Sequence, residues 1–270
     1  MENRSKICNI VPSPHDDRDW EYEARVASAV GDISIPETFR CSGLTPVKNQ
    51  GSRGTCVAMT LSCVKEYQEG VDNPEMKGEL MSPNSLYIYR TTKNGGMYCR
   101  SAMSLLKKHG MCTEHLFPYS KKKEPTIISD AAKKEALNYR IKSYARVHTI
   151  EGAKKALLEY GPLLIAFPYY KNGSAQFWIK PTVNKKADGG HAVAIIGWDR
   201  KGFIIRNSWG YGWNKDGHVH YPFTQWGSHW EIWSSIDEET DYIPDRLKNK
   251  PDPLPDNFIR KLGRLCGKRR

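Results

Sequence analysis

PVKNQGSRGTC at residues 46–56, running without a break into VAMTLSCVKEYQE at 57–69, is the stretch on which the reading of this chain turns. In its second half Val57, Leu61 and Val64 recur at helical spacing, Thr55 stands where an N-cap belongs and Gly70 where a helix would stop. The pattern therefore predicts a helix that begins at the end of a Gly-containing loop, with Cys56 in its first turn. Unpaired backbone N–H groups and the positive end of the helix dipole favour the thiolate at that place, whereas burial alone favours the thiol. Cys56 is thus either a small core residue or a nucleophile, and the rest of the chain has to decide.

A thiol nucleophile needs a base, and the base needs an orienting group. His191 in GGHAVAIIGWD (189–199) and Asn207 in RNSWGYGW (206–213) are of the right chemical types. Further helices are predicted at Ser82–Arg90, at Ser101–His109 before Gly110, and at Ile150–Tyr160 before Gly161-Pro162. After Pro162 the texture changes to short apolar runs, LLIAF (163–167), HAVAIIGW (191–198), FIIR (203–206) and HVHY (218–221), which read as strands. Helices early and strands late imply an α+β protein in two lobes, with Cys56 from an early helix opposite His191 and Asn207 from late strands.

With 270 residues, 39% of them hydrophobic, and eight Trp, the chain can bury a large core and is not a disulfide-held mini-protein. It has no uninterrupted run of about 18 apolar residues, and its first ten, MENRSKICNI, lack an apolar region, so neither a membrane span nor a secretory signal is expected. The net charge of +11 invites a nucleic-acid reading. Its basic groups, however, are scattered at Lys107-Lys108, Lys121–Lys123, Lys133-Lys134, Lys154-Lys155 and Lys185-Lys186 outside any recognisable RNA or DNA module, and nucleic acid is not an expected partner. Seven cysteines without a CxxC pair suggest no zinc ribbon. His109, Cys112 and His115 are spaced by three, but Gly110 interrupts them and no fourth ligand is evident, so no metal is expected.

Taken together, these residues resemble the papain-like cysteine peptidases. The resemblance rests on IPETF (35–39), PVKNQG (46–51), NGG (94–96), Pro118-Tyr119 and NSWGYGWNKDG (207–217), and covers about residues 35–236. His191 and Asn207 follow Cys56 by 135 and 151 residues, close to the family spacing of roughly 130 to 150. It implies a two-lobe fold, a helical N-terminal lobe and a β-barrel-like C-terminal lobe with the active-site cleft between them. It further implies Cys56 as nucleophile, His191 as its imidazolium partner and general acid, Asn207 as the group orienting His191, and Gln50 as an oxyanion donor. Trp209 would shield the Asn–His contact, and Trp213 would wall the leaving-group side. Gly95 and Gly96 would pair with an extended polypeptide substrate, while Met97, Tyr98, Gly190 and Ala192 would line an apolar pocket for the side chain two residues before the scissile bond, its far end within Ile232–Ser235.

The resemblance implies no cofactor, and a monomer is expected. Arg53 and Lys93 stand where the family has a bonded pair of cysteines, and Val57 and Gly190 replace a common aromatic and a common polar residue. The missing pair and missing signal lean toward an intracellular or virion-associated protein rather than a secreted one. The resemblance divides the chain into an N-terminal extension (1–35), a peptidase domain (36–236) and a C-terminal extension (237–270). Within the first, Val11–Tyr22, rich in Pro and Asp, is expected to form a short lid or prosegment across the cleft, or else a strap on the outside of a lobe. Two other readings stay open: a groove that holds peptides without cutting them, and a basic partner-binding protein, contacting through Lys121–Lys123 and Arg269-Arg270, with incidental peptidase activity.

Overall fold

The structure, a computed structural model, describes residues 8–17, 19–23, 34–93 and 95–248. Asn94, Cys266 and the Arg269-Arg270 pair lie outside the described residues. Helix α1 (Cys56–Asp72) begins where the spacing predicts, with Cys56 as its first residue. It continues through Gly70 and ends at Asp72, with Asn73 as its C-cap, because a single glycine costs a helix about 1 kcal/mol whereas the following Pro74 cannot extend it. Thr55 occupies the N-cap position without capping; its hydroxyl is 2.8 Å from that of Tyr119.

The second predicted helix contracts to α2 (Pro83–Tyr87), and the third, α3 (Cys99–His109), starts two residues earlier than expected. It stops at Gly110, whose φ of 68° and contact with the Ala136 carbonyl exclude a side chain. A short helix α4 (Asp130–Ala136) was not anticipated, although Ser129 caps it by accepting from Ala132 N–H. Helix α5 (Ile150–Tyr160) matches its prediction, capped by Thr149 and closed by Gly161.

The strands are β1 (Phe39–Arg40), β2 (Ile141–Arg146), β3 (Leu163–Tyr169), β4 (Gly189–Trp198), β5 (Gly202–Arg206), β6 (His218–Pro222) and β7 (Glu231–Asp237). All pair antiparallel in the order β2-β7-β3-β4-β5-β6, with β1 added to β4. The four predicted strands are present, each extended by one or two residues. In β2, Ile141, Ser143 and Ala145 alternate inward, a period-two signal weakened by the polar Ser.

One apolar cluster fills the sheet lobe around Phe167, Trp198, Phe203 and Tyr221. A second, around Leu61, Met76, Met103 and Leu106, fills the helical lobe and reaches the sheet through Leu164, Ala166, Ala192 and Trp233. The seam between the lobes runs along α1, which packs on α2 on one side and on β3 and β4 on the other. Beyond β7 the chain returns to the helical lobe, where Asn73 Nδ2 donates to Thr240 O (2.7 Å), Arg246 pairs with Glu79 (2.8 Å), and Leu247 of α6 (Asp245–Lys248) is buried. Among the described residues there is no disulfide: Cys99 and Cys112 lie in separate apolar clusters. No helix among these residues is long and apolar enough to cross a membrane.

The middle of α1 is tied to β7 by charge. Lys65, fully buried, pairs with Glu69 (2.6 Å) and Asp237 and donates to Arg140 O (3.1 Å). Burial, partly offset by Lys65, pushes the Glu69 carboxyl up to about 7. A carboxyl whose folded pKa lies above its unfolded value contributes stability below about pH 4.5 that is lost as the pH rises through 7. Glu69→Gln removes this titration. Relative to the wild type, the variant should therefore gain at least about 1.4 kcal/mol between pH 4.5 and 7.5, measured by urea unfolding at both pH values.

Candidate active site

His191, the third residue of β4, is fully buried, and its Nε2 lies 2.8 Å from Asn207 Oδ1. The same oxygen accepts Ser208 N–H (2.7 Å), so Asn207 presents an acceptor to the ring. Nε2 therefore carries a proton, and in the neutral ring Nδ1 is the basic nitrogen. Trp209 stacks on the imidazole with centroids 4.5 Å apart and planes 21° apart, and Phe177 meets it edge-on at 5.1 Å. These two rings exclude water from the His191–Asn207 contact. Antiparallel pairing of β4 with β5 brings the two residues together, since Ala194 faces Arg206, the last residue before Asn207.

Cys56 reaches the same place from the helical lobe. Its thiol, fully buried, receives the backbone N–H groups of Ala192 and Val57, yet burial outweighs them and pushes it up to about 11. Gln50 is also fully buried. Its backbone N–H donates to Ser208 O (2.8 Å), its Oε1 accepts Ser208 Oγ–H (2.7 Å), and its Nε2 donates to Arg53 O (2.8 Å). One of the two hydrogens of the Gln50 amide is thereby used. Ser208 was not singled out from sequence, where it reads as a turn residue after Asn207.

The groove is occupied by the chain's own N-terminal segment. Ile10 N–H donates to Gly190 O (3.3 Å), Gly190 N–H donates to Cys8 O (3.1 Å), and Asn9 bridges Gly190 in parallel. Ile10 is 1% exposed and packs in one cluster with Cys56, Met97 and Ala192. A Cβ at Gly96 would lie 2.6 Å from Asn9 O, one at Gly190 2.6 Å from Ile10 O, and one at Gly54 2.8 Å from Asn9 Oδ1. The absence of side chains there is what admits a backbone. Gly190 also lies under the Trp230 ring, which leaves no room for the polar residue common at that position in the family.

Of the residues expected to bind substrate, Gly95, Gly96, Met97, Gly190 and Ala192 thus converge on this segment. Tyr98 borders the next cavity, about 260 Å³, with Asn9, Ile10 and Val11. Trp213 stands apart, edge-on to Trp209 at 5.2 Å.

The expected lid, Val11–Tyr22, divides differently. The groove holds Cys8–Ile10, because Ile10 supplies the apolar side chain, whereas Val11 is 43% exposed and the described residues after it strap the outside. Ser13 donates through N–H and Oγ–H to Glu231 Oε1 (3.0 and 3.1 Å). Arg100 pairs with Asp16 (2.5 Å) and Asp19, and Glu23 Oε1 accepts the backbone N–H groups of His148 and Thr149 (2.8 and 2.9 Å) ahead of α5. Along β7, Glu231 holds the strap at Ser13, and Trp233, within the expected Ile232–Ser235, lies in the same apolar cluster as Ile10. Elsewhere His109 stacks on Tyr89 at 4.1 Å, and among the described residues no group of three His, Cys, Asp or Glu is disposed to hold a metal.

A buried cysteine at a helix start, a histidine of β4 paired with an asparagine just after β5, and a glutamine on the loop before the helix thus meet at the seam between the lobes. The family model for papain family cysteine proteases matches residues 36–230, and the chain belongs to that family. Papain of Carica papaya is 29% identical over 240 residues, 81% of this chain and 63% of that protein. An uncharacterized peptidase C1-like protein of Acanthamoeba polyphaga mimivirus is 26% identical over 200 residues, 65% of this chain and 63% of that protein. The chain thus spans somewhat under two thirds of the length of these relatives. Among solved structures, xylellain, a cysteine protease from Xylella fastidiosa, superposes with a TM-score of 0.72 at 24% identity, covering 87% of this chain and 98% of that one, and so shares the fold.

Because Cys56 is fully buried, the thiol should alkylate slowly at neutral pH. The rate with iodoacetamide should rise about tenfold per pH unit toward 11. Ile10→Asp, which expels the segment, should move the profile to lower pH; peptide-resolved mass spectrometry of Cys56 across pH 6–11 measures both.

Proposed function

We propose that this protein is a latent cysteine endopeptidase whose N-terminal segment occupies its own substrate groove. The reading is carried by the convergence of Cys56, the His191–Asn207 pair under Trp209, and Gln50 on a groove that already accepts an extended backbone. Once the segment leaves, Cys56 loses its cover, and its proton passes to His191 Nδ1 to give a thiolate–imidazolium pair steadied by Asn207 at Nε2. The thiolate attacks the carbonyl carbon of the scissile peptide bond. The resulting oxyanion is received by the Cys56 backbone N–H and the remaining Gln50 amide hydrogen. His191 gives its proton to the amine nitrogen as the C–N bond breaks, leaving a thioester on Cys56. Water, giving a proton to His191, then attacks the thioester carbon, and the thiolate departs as the acid is released.

The substrate is a polypeptide in extended conformation. Ile10, packed beside Met97 and Ala192, supports an apolar preference two residues before the scissile bond. Trp213 would contact the leaving-group side. No step requires a metal or organic cofactor.

Intact mass after incubation with an epoxysuccinyl inhibitor tests this reading. Ile10→Asp should take up one equivalent at least tenfold faster than the wild type and hydrolyse a peptide amide correspondingly faster, because a charge placed in the apolar cluster removes about 2 kcal/mol or more of segment docking. Cys56→Ala should take up none. Equal slow labelling of wild type and Ile10→Asp would reject latency, and labelling of folded Cys56→Ala would reject the assignment of the nucleophile.

A further inference from the structure

Arg53 lies on the loop between Gln50 and Cys56, is only 7% exposed, and has no carboxylate paired with it among the described residues. Its Nη1 donates to Asn84 Oδ1 (2.8 Å) and to Ser120 O (3.0 Å). Nε and Nη2 are buried without a hydrogen-bond acceptor. What surrounds the guanidinium is aromatic: its carbon is 4.8 Å from the centroid of Tyr119 and 5.2 Å from that of Tyr87. Arg90, itself paired with Glu124, lies 4.2 Å from the Tyr87 ring. The negative faces of two aromatic rings compensate part of the cost of desolvating the cation.

Both tyrosines hand this contact on to the groove. Tyr87 Oη–H donates to Gly95 O (2.5 Å), on the segment that meets Asn9. Tyr119 Oη–H donates to Gln50 O (2.8 Å), and Thr55 donates to the same Tyr119 oxygen. Arg53 closes the circuit through its own carbonyl, which accepts the Gln50 amide. One side chain therefore touches the oxyanion-side loop and, through Tyr87, the backbone opposite it.

We propose that Arg53 is a positioning residue, held between Tyr87 and Tyr119, that sets the spacing between the Gln50–Cys56 loop and the Gly95–Gly96 segment, the work a covalent cross-link would do, in a form that reductants do not break. The inference rests on the peptidase reading for its kinetic consequence but not for its structural one. Lysine is no substitute, because the planar guanidinium both stacks and donates sideways to Asn84 and Ser120 while an ammonium presents a point charge.

The test uses the full chain with Arg53→Met and Arg53→Lys, each also combined with Ile10→Asp for kinetics. In Arg53→Met, kcat on a fluorogenic peptide amide should fall about 10- to 100-fold with KM changed less, as when an oxyanion donor is misplaced. Alkylation of Cys56 by iodoacetamide, which needs a thiolate but no oxyanion hole, should stay within about threefold of the parent. Amide hydrogen exchange should quicken at residues 50–56 and 95–96 and stay unchanged in β3–β5. Arg53→Lys should recover only part of kcat. If Arg53→Met does not accumulate folded, Tyr119→Phe, which keeps the ring and removes the hydroxyl, carries the same readouts with about a 3- to 10-fold loss.

Unchanged kcat and unchanged exchange in a folded variant would overturn the proposal. So would an equal loss of hydrolysis and alkylation with faster exchange throughout the helical lobe, which would make Arg53 a general scaffold residue. If the Ile10→Asp parent hydrolyses no peptide, the peptidase reading fails, and the exchange measurement alone decides the role of Arg53.

Discussion

Ser208 grips Gln50 from two sides, through its carbonyl and its hydroxyl, and the rest of the site depends on that seam. Gly210 N–H to Lys48 O continues it at 2.9 Å. These bonds join the loop that leads into α1 to the turn that follows β5, so the two lobes meet in one register. Without that register Cys56 would be a buried thiol at a helix start and His191 a histidine within a sheet. Since the partners are backbone groups and short side chains, they have little freedom to compensate for a shift of either lobe.

Two opposing effects act on Cys56. The helix start, with the Val57 and Ala192 N–H groups, draws the thiol toward the thiolate, and burial drives it the other way. Burial prevails, which is what a latent form of the proposed enzyme needs: a nucleophile held as the thiol while the chain's own N-terminal segment lies in the groove. Polar and ionic contacts of the strap outside the groove, to Glu231, Arg100 and the start of α5, add to the hold of Ile10 within it. The six described cysteines are all thiols, so neither the site nor the strap draws on a disulfide.

The long helices and the four apolar strands were legible because local signals agreed with one another. α5 has its cap, period and Gly-Pro stop, and β4 is a continuous apolar run. What was misread had weak or competing local signals. Gly70 resembles a stop but is overridden by packing along a helix buried over most of its length, and β2 alternates through a serine. The segment in the groove was assigned a few residues too late, because Pro and Asp draw attention to Val11–Tyr22 while the single apolar residue that matters, Ile10, precedes them.

The sequence by itself determined the chemical types and their order: a thiol at a helix start, then an imidazole, then a carboxamide, each inside a recognisable stretch of a family with a characteristic spacing. Tertiary structure alone decided what those groups touch. Ser208, Glu231, Tyr87 and Tyr119 act on residues 8 to 218 positions away, and nothing in their own neighbourhoods announces it. Arg53 is the sharpest case, for in sequence it is a missing cysteine and in the fold it is a cation held between two rings. Local patterns specify elements, because backbone hydrogen bonds and side-chain periodicity act over a few residues. The site forms only when burial brings distant segments within a few ångströms, where their polar groups must find one another or lose the hydrogen bonds they had in water.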